Sequence, residues 1–270
     1  MNERLRTLYK PRGRAGEFAD ASMATWQGCT HGCVYCFNHS RDKSKFRTAE
    51  EMAKACRPCG DVLRKLRQDI EDIKNGEGPW SEVEEGVPHI LFQFTGDPYP
   101  PYEVDANITR GALKLLRDAG LSWDILTKGG LRAFKDFDLY EGTKSRFAQT
   151  VVFREDALRQ KHEPGASVIA ERFHAFKAAR IHRIPTWMSV EPVCDAAQAL
   201  AVIRDFAGAV DFIKVGKINE HEMEGDVDWP KFGIDLAKTL EEVGIRYYIK
   251  DSTKPFMPSG FPMDTREGGE

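Results

Sequence analysis

Short apolar, β-branched runs alternate along this chain with stretches of helical period, and this alternation constrains the fold more than any other feature. The runs cover 22–26, 89–95, 123–127, 147–153, 185–190, 210–215 and 246–249. Helical patterns fill the intervals: 49–75 in two pieces broken near Pro58, then 106–119, 131–140, 167–182, 195–207 and 230–243. Ile108, Ala112, Leu115 and Leu116 show the i, i+4, i+7, i+8 stripe of a half-buried helix. Gly120 and Gly244 stand where helices should stop. Such alternation implies βαβ units around a parallel sheet. The sheet could be doubly wound or curled into a barrel, and periodicity does not separate the two. Segment 76–88 reads as an acidic surface loop, and the Pro- and Gly-rich tail from Pro255 as irregular. No repeat, low-complexity tract or linker interrupts the pattern. One domain over 1–270 is expected, with an arm at 1–19, a core at about 20–250 and a tail at 251–270.

Composition closes off several classes. With 41% hydrophobic and 30% charged residues the chain can bury a core, which excludes wholesale disorder. A net charge of −3 excludes binding nucleic acid through bulk charge alone, while leaving room for a local patch. No apolar run approaches the roughly 20 residues of a membrane span, and the first residues lack an apolar leader, so a cytoplasmic protein without a membrane partner is expected.

Six cysteines are too few for a disulfide scaffold, and their clustering points to metal or redox chemistry. Cys29, Cys33 and Cys36 stand in a C-x₃-C-x₂-C spacing just after the first run, with Gly28 and Gly32 permitting tight turns. A structural zinc site wants four ligands, usually in two separated pairs. Three close thiolates suit a [4Fe–4S] cluster whose fourth iron stays free for a further ligand. A zinc site completed by His31 or His39, or simple buried thiols, are the other readings of these residues.

The spacing, with the aromatic Tyr35 before the third cysteine, resembles the radical S-adenosylmethionine superfamily. Further motifs are similar to its spore photoproduct lyase-like, or DNA-repair-photolyase-like, branch. These are Tyr9-Lys10-Pro11, Gly13-Arg14-Ala15-Gly16-Glu17, Thr95-Gly96-Asp97-Pro98-Tyr99, Thr127-Lys128, Glu163-Pro164, Glu171-Arg172 and Glu191-Pro192. The resemblance implies a partial parallel (β/α)6 TIM-like barrel and an enzyme that cleaves S-adenosyl-L-methionine at a [4Fe–4S] cluster. The resulting 5′-deoxyadenosyl radical would abstract a hydrogen from substrate. It implies cluster ligands Cys29, Cys33 and Cys36, and cosubstrate contacts from Tyr35, Gly96, Asp97, Lys128, Ser189, Glu191 and Gly216. Asp97 would accept from the methionyl ammonium, Lys128 would pair with the carboxylate, Ser189 and Glu191 would meet ribose, and the Gly216 backbone would meet adenine. It also implies a low-potential electron donor such as flavodoxin or ferredoxin.

One departure bears on the reaction. The resemblance places a hydrogen-donating cysteine in the second strand, where this chain has Phe92-Gln93-Phe94. Repair of a thymine dimer is therefore not the expected activity, and Cys194, beyond Glu191-Pro192, is an alternative hydrogen donor. Cys56 and Cys59, at i and i+3, could share a helical face. Through residue 47 there are nine Lys/Arg against four Asp/Glu, while the rest of the chain is acidic. Arg41, Lys43, Lys45 and Arg47 follow the cysteines and could receive phosphates. A nucleobase in DNA, RNA or a nucleotide is the favoured substrate. The alternatives are a radical enzyme acting on a peptide or small metabolite, and a non-catalytic zinc or iron–sulfur protein.

Overall fold

The face that each strand residue takes decides the layering. The computed structural model describes residues 7–12, 16–17, 19, 21–39, 45–77, 89–218 and 221–265. One sheet contains β1 (Ala21–Met23), β2 (Ile90–Phe92), β3 (Trp123–Thr127), β4 (Arg146–Thr150), β5 (Thr186–Val193), β6 (Phe212–Lys217) and β7 (Arg246–Ile249). The strands lie side by side in chain order, each pair parallel. The helices are α1 (Ala49–Lys54), α2 (Val62–Lys74), α3 (Ile108–Asp118), α4 (Asp156–His162), α5 (Ile169–Ile181), α6 (Ala196–Phe206) and α7 (Trp229–Val243).

Successive strand residues point to opposite faces. Met23, Phe92, Ile125, Phe147, Met188, Ile213 and Ile249 join one apolar core with helix residues such as Leu66, Leu116, Phe176, Ile203 and Leu236. Leu91, Leu126, Ala148, Trp187 and Phe212 take the other face with Ala19, and among the described residues this second cluster draws on no helix. A doubly wound sheet would carry helices on both faces. The sheet is therefore of the barrel type, with helices outside and strand residues lining the inside. The expected six-unit barrel is extended by β7, a run already legible as a strand. β1 and β7 are terminal strands in the pairing order, so the barrel is partial.

Local differences have local causes. The run expected at 22–26 leaves the sheet after Met23, because Trp26–Gln27 pairs antiparallel with Arg57–Pro58 in a small ribbon. Pro58 lacks an N–H and suits such an edge. The stretch expected as a helix at 131–140 is 3₁₀ over Gly130–Tyr140. Phe134, Phe137 and Tyr140 recur every three residues and stack edge to face in sequence, which is the 3₁₀ repeat. Gly120 and Gly244 do end helices, at φ of 71° and 61°.

Both edges of the sheet are covered, which removes the open pairing surface of terminal strands. Tyr9 and Ser22 exchange two backbone hydrogen bonds of 3.0 and 2.9 Å beside β1. The tail, expected to be irregular, returns beside β7: Ile249 N–H donates to the Met263 carbonyl at 2.8 Å, and Thr265 N–H to Tyr247 at 2.9 Å. Its Pro and Gly residues concealed this short ladder.

Gly233 of α7 lies so close to the tail that a methyl group would run into the Phe256 carbonyl. Gly233→Ala should cost about 1–3 kcal/mol through overpacking. The check is urea unfolding, where the midpoint should fall with the slope unchanged. An unaltered midpoint would mean that the tail does not press on α7 in solution.

Candidate active site

The parallel strands bring their C-terminal ends to one rim, where the loops after β1, β2 and β3 meet. Gly28, at φ 71°, forms a parallel bridge with Gly96 after β2. A Cβ on Gly28 would lie 2.5 Å from the Met52 carbonyl oxygen, and one on Gly96 would lie 2.8 Å from the Gly28 carbonyl. Both glycines are thus required by close backbone approach. Cys29 N–H donates to the Met52 carbonyl at 3.2 Å, Val34 N–H to His162 at 2.9 Å, and Gly165 N–H to His31 at 2.8 Å. The cysteine loop is therefore pinned between α1 and the end of α4. Gln93 lies in the segment Phe92-Gln93-Phe94, where the resemblance places a cysteine. Its amide oxygen accepts from Thr25 N–H (3.0 Å) and Trp26 N–H (3.3 Å), and its nitrogen donates to the Trp26 carbonyl (3.1 Å). It acts as a staple for the segment leading into the loop.

Asp97 is buried and already well supplied with donors. Oδ1 accepts from Thr127 Oγ1 at 2.7 Å and Tyr99 N–H at 2.8 Å, and Oδ2 accepts from Lys128 N–H at 2.8 Å. His31 Nδ1 lies 3.6 Å from Oδ2. Arg132 lies 3.2 Å from His31 Nε2 and can only donate, so the ring proton sits on Nδ1 and faces Asp97. Burial pushes His31 down to about 4, so the ring is neutral near pH 7. Burial works against the charge of Asp97, but His31, the Lys128 N–H and the Thr127 hydroxyl hold it below the usual carboxylate value.

The three thiols share one electrostatic neighbourhood. Burial raises Cys29, with Asp97, Cys33 and Cys36 adding to the effect. Burial pushes Cys33 up to about 12, opposed by Lys128 and reinforced by Glu163 and Cys36. Thiols so placed give up their protons readily only when a cationic centre takes them as ligands. Thr30 Oγ1 and His39 Nε2, in and just beyond the loop, have no hydrogen-bond partner among the described residues. Three free thiols within eight residues of a glycine-cradled loop, with unspent polar capacity beside them, suit a cluster of the expected kind. Among the described residues, no three of His, Cys, Asp or Glu meet at a point that would hold a single ion.

Behind the loop lies an ion pair for which local sequence reading supplied no role. Glu163 accepts from Tyr35 Oη and from Arg172 Nη2, the latter at 2.6 Å, and both members of the pair are fully buried. Arg172 also donates to the Thr150 and Ser167 carbonyls. Lys128 Nζ lies 4.0 Å from Glu163 and 5.5 Å from the Tyr35 ring centroid. Lys128, expected at a cosubstrate carboxylate, is thus turned toward Tyr35 and Glu163. Cys194 is buried in the same quarter. Burial raises its thiol well above the usual range, with Glu163, Lys128 and Cys33 as its charged neighbours.

Across the barrel, Glu191 and Gly216 lie near the ends of β5 and β6, while Ser189, expected at the end of its strand, lies in the middle of β5 because the strand continues to Val193. Ser189 pairs in register with Lys214 and is buried. Glu191 is met by Lys214 and Lys250, each at 3.0 Å, and Glu17 of the arm lies 3.6 Å from Lys250. A Cβ on Gly216 would press on the Glu191 carboxyl at 2.9 Å, so this glycine makes room for that side chain. Lys214 and Lys250 escaped sequence reading, and Glu17 was named only within a motif, because their pairing links the arm, β6 and the end of β7.

The remaining predicted groups divide. Cys56 and Cys59 do not share a helical face, because α1 ends at Lys54 and the ribbon residues Arg57–Pro58 separate them. Cys56 adjoins Gly28 through its backbone. Lys45 and Arg47 are exposed, whereas Arg41 and Lys43 lie outside the described residues. No helix among the described residues is long and apolar enough to cross a membrane.

No family model and no curated protein matches the chain. Solved structures do. A point variant of spore photoproduct lyase superposes with a TM-score of 0.65 at 13% identity, covering 89% of this chain and 79% of that one. A lyase variant with bound AdoMet and dinucleoside spore photoproduct gives 0.60 at 14% identity, with 86% and 76% covered. SuiB of Streptococcus suis, bound to precursor peptide SuiA, gives 0.63 at 9% identity and covers 87% of this chain. The chain spans 50% of the length of SuiB. Both neighbours are radical S-adenosylmethionine enzymes, and at these identities the likeness carries the fold.

Burial opposes the charge of Glu191, yet Lys214 and Lys250 hold it at about 2, against an ordinary 4.5. A carboxylate depressed in the folded state stabilises above its unfolded value, and that stability is lost as pH falls from 4.5 toward about 2. In Glu191→Gln the urea midpoint should therefore change less across this window than in the unaltered protein. Equal pH dependence in the two would remove the lysine pair as the cause.

Proposed function

We propose that this chain is a radical S-adenosylmethionine enzyme in which Cys29, Cys33 and Cys36 hold one [4Fe–4S] cluster. The observation that carries the reading is the placement of three free thiols in one short loop clamped by the Gly28–Gly96 bridge at the rim of a partial barrel. The bound cluster would supply the electron that cleaves S-adenosyl-L-methionine to a 5′-deoxyadenosyl radical, and its open iron would take the amine and carboxylate. Tyr35 and Gly96 lie at the loop and its clamp, and Asp97 supports an ammonium only through a lone pair left beside three strong donors. Glu191, fixed and ionised between two lysines, suits ribose hydroxyls, with Ser189 below it. The Gly216 backbone is the candidate adenine contact. The apolar inner face of the strands, with Trp187 and Phe212, would help keep water from the radical.

The favoured substrate is a nucleobase in nucleic acid or a nucleotide. It is supported by the fold shared with a lyase that binds a dinucleoside photoproduct, and by the basic stretch that includes Lys45 and Arg47. A peptide substrate is the second reading, supported by the fold shared with SuiB in complex with its precursor peptide. The lack of a cysteine in Phe92-Gln93-Phe94 favours base modification over thymine-dimer repair. Cys194, a buried protonated thiol beside Cys33, is the candidate hydrogen donor. The chemistry requires a low-potential donor such as flavodoxin or ferredoxin, and hence the reducing conditions of the cytoplasm.

Anaerobically reconstituted protein should bind iron and sulfide and release 5′-deoxyadenosine under strong reductant. Replacing Cys29, Cys33 and Cys36 by Ala should abolish both, while Cys56→Ala with Cys59→Ala should leave the cluster intact. Zinc without sulfide in protein prepared without oxygen would end this reading. Oligonucleotide binding should weaken with salt by a slope of about −0.7 to −0.9 per phosphate contact. Salt-independent or absent binding would favour the peptide or metabolite substrate.

A further inference from the structure

A ribose contact from Glu191 requires that its carboxylate be held still. We infer that Glu17, carried by the arm, is a positioning residue of this site: it anchors Lys250, and through Lys250 it keeps the Glu191 carboxylate turned toward the ribose hydroxyls of S-adenosylmethionine. The inference rests on the ribose reading of Glu191 and gives a task to the last residue of Gly13-Arg14-Ala15-Gly16-Glu17, a motif to which the resemblance attaches none.

The arm reaches this point across the seam between the two terminal strands. Glu17 meets the end of β7, whereas Ala21 already pairs with Ile90 in β1. Ala19, between them, joins Leu91, Ala148, Trp187 and Phe212 on the inner face. The two oxygens of Glu17 do different work. Oε1 accepts from Asp251 N–H at 2.7 Å and from Tyr248 Oη at 3.0 Å, and so docks the arm. Oε2 faces Lys250 Nζ at 3.6 Å, and both side chains are buried from most solvent, at 11% and 9% exposed. The Lys250 backbone is fixed as well. Its N–H donates to the Val215 carbonyl at 3.0 Å, and its carbonyl accepts from Thr253 N–H at 2.8 Å.

Four groups thus alternate in sign from β6 to the arm. Lys214 meets Glu191 Oε2 at 3.0 Å, Lys250 meets Glu191 Oε1 at 3.0 Å, and Glu17 stands behind Lys250. The neighbouring charges Asp251 and Lys254 pair with each other at 2.6 Å. A carboxylate has about four acceptor positions. With one lysine on each oxygen, each oxygen of Glu191 keeps capacity for one more donor, the arrangement that suits two vicinal hydroxyls. Glu191 is 26% exposed, which leaves that side open to a ligand. Without the charge of Glu17, Glu191 would be the one carboxylate in the row for two lysines. Lys250, no longer drawn back by its second carboxylate, would crowd the acceptor position that a hydroxyl needs.

The test is equilibrium binding of S-adenosylmethionine and of its 2′-deoxyribose analogue to the reconstituted, unreduced protein, in the unaltered chain, Glu17→Gln and Glu191→Gln. Glu17→Gln keeps an acceptor for Tyr248 and Asp251 and removes the charge that faces Lys250. The unaltered protein should prefer the natural cosubstrate, and Glu191→Gln should lose most of that preference. Glu17→Gln should reduce it about threefold to tenfold, the net worth of one hydrogen bond. Its iron and sulfide content and its affinity for the deoxy analogue should change little. A preference unaltered in Glu17→Gln, or equal losses for both ligands with a lower urea midpoint, would overturn the inference and leave Glu191 at the ribose. No preference in the unaltered protein would overturn the ribose reading of Glu191 and this inference with it.

Discussion

The buried carboxylate of Asp97 is the constraint on which the site depends. An ionised group out of water is costly unless donors surround it. Here they come from the loop after β2, the last residue of β3 and the backbone beyond it, with the His31 ring of the cysteine loop alongside. None of these elements can move without leaving the charge short of a partner. One side chain thereby fixes the relative position of two strand ends, a loop of three thiols and the Cα of Lys128. The Gly28–Gly96 bridge adds the steric half of the same clamp, since no larger residue fits at either position.

A second buried pair, Glu163 with Arg172, extends the frame from the loop to β4 and α5. It reaches the loop through Tyr35 and the rim through Lys128. On the far side of the barrel the same logic recurs with Glu191 between Lys214 and Lys250. The inner floor between the two sides is apolar, with Trp187 stacked on Phe212 at 5.6 Å. The rim thus carries two electrostatic stations across an apolar floor, one at the thiols and one at β5 to β7. That layout suits a ligand with a charged end near the loop and a polyhydroxylated portion beyond it.

Much of this was legible in the sequence. Each parallel strand was announced by a β-branched run, because strands with helices on one face and packed side chains on the other need apolar residues along most of their length. The cysteine spacing located the loop; Lys128 directly follows β3, Glu191 and Gly216 lie near the ends of β5 and β6, Ser189 lies in the middle of β5, and Gly96 and Asp97 lie in the loop beyond β2. What escaped was decided by distant partners. Nothing local in Glu163 or Arg172 shows that they meet, and the two lysines beside Glu191 come from β6 and the end of β7. Lys128 was placed correctly in the chain, yet its direction follows from Glu163 and Tyr35, which local spacing does not reveal. The 3₁₀ stretch at Gly130–Tyr140 and the bridge from the tail to Tyr248 were missed because each is set by ring stacking or an edge contact rather than by period.

A cluster held by the three thiols with one iron open to S-adenosylmethionine is tested most directly by the electron-paramagnetic-resonance spectrum of the reduced, reconstituted protein before and after adding that cosubstrate. A [4Fe–4S]⁺ signal is expected, with g values that change on addition as an exchangeable iron takes the amine and carboxylate. A signal unaffected by saturating cosubstrate, or the lack of any such signal in protein that retains its three cysteines, would contradict it.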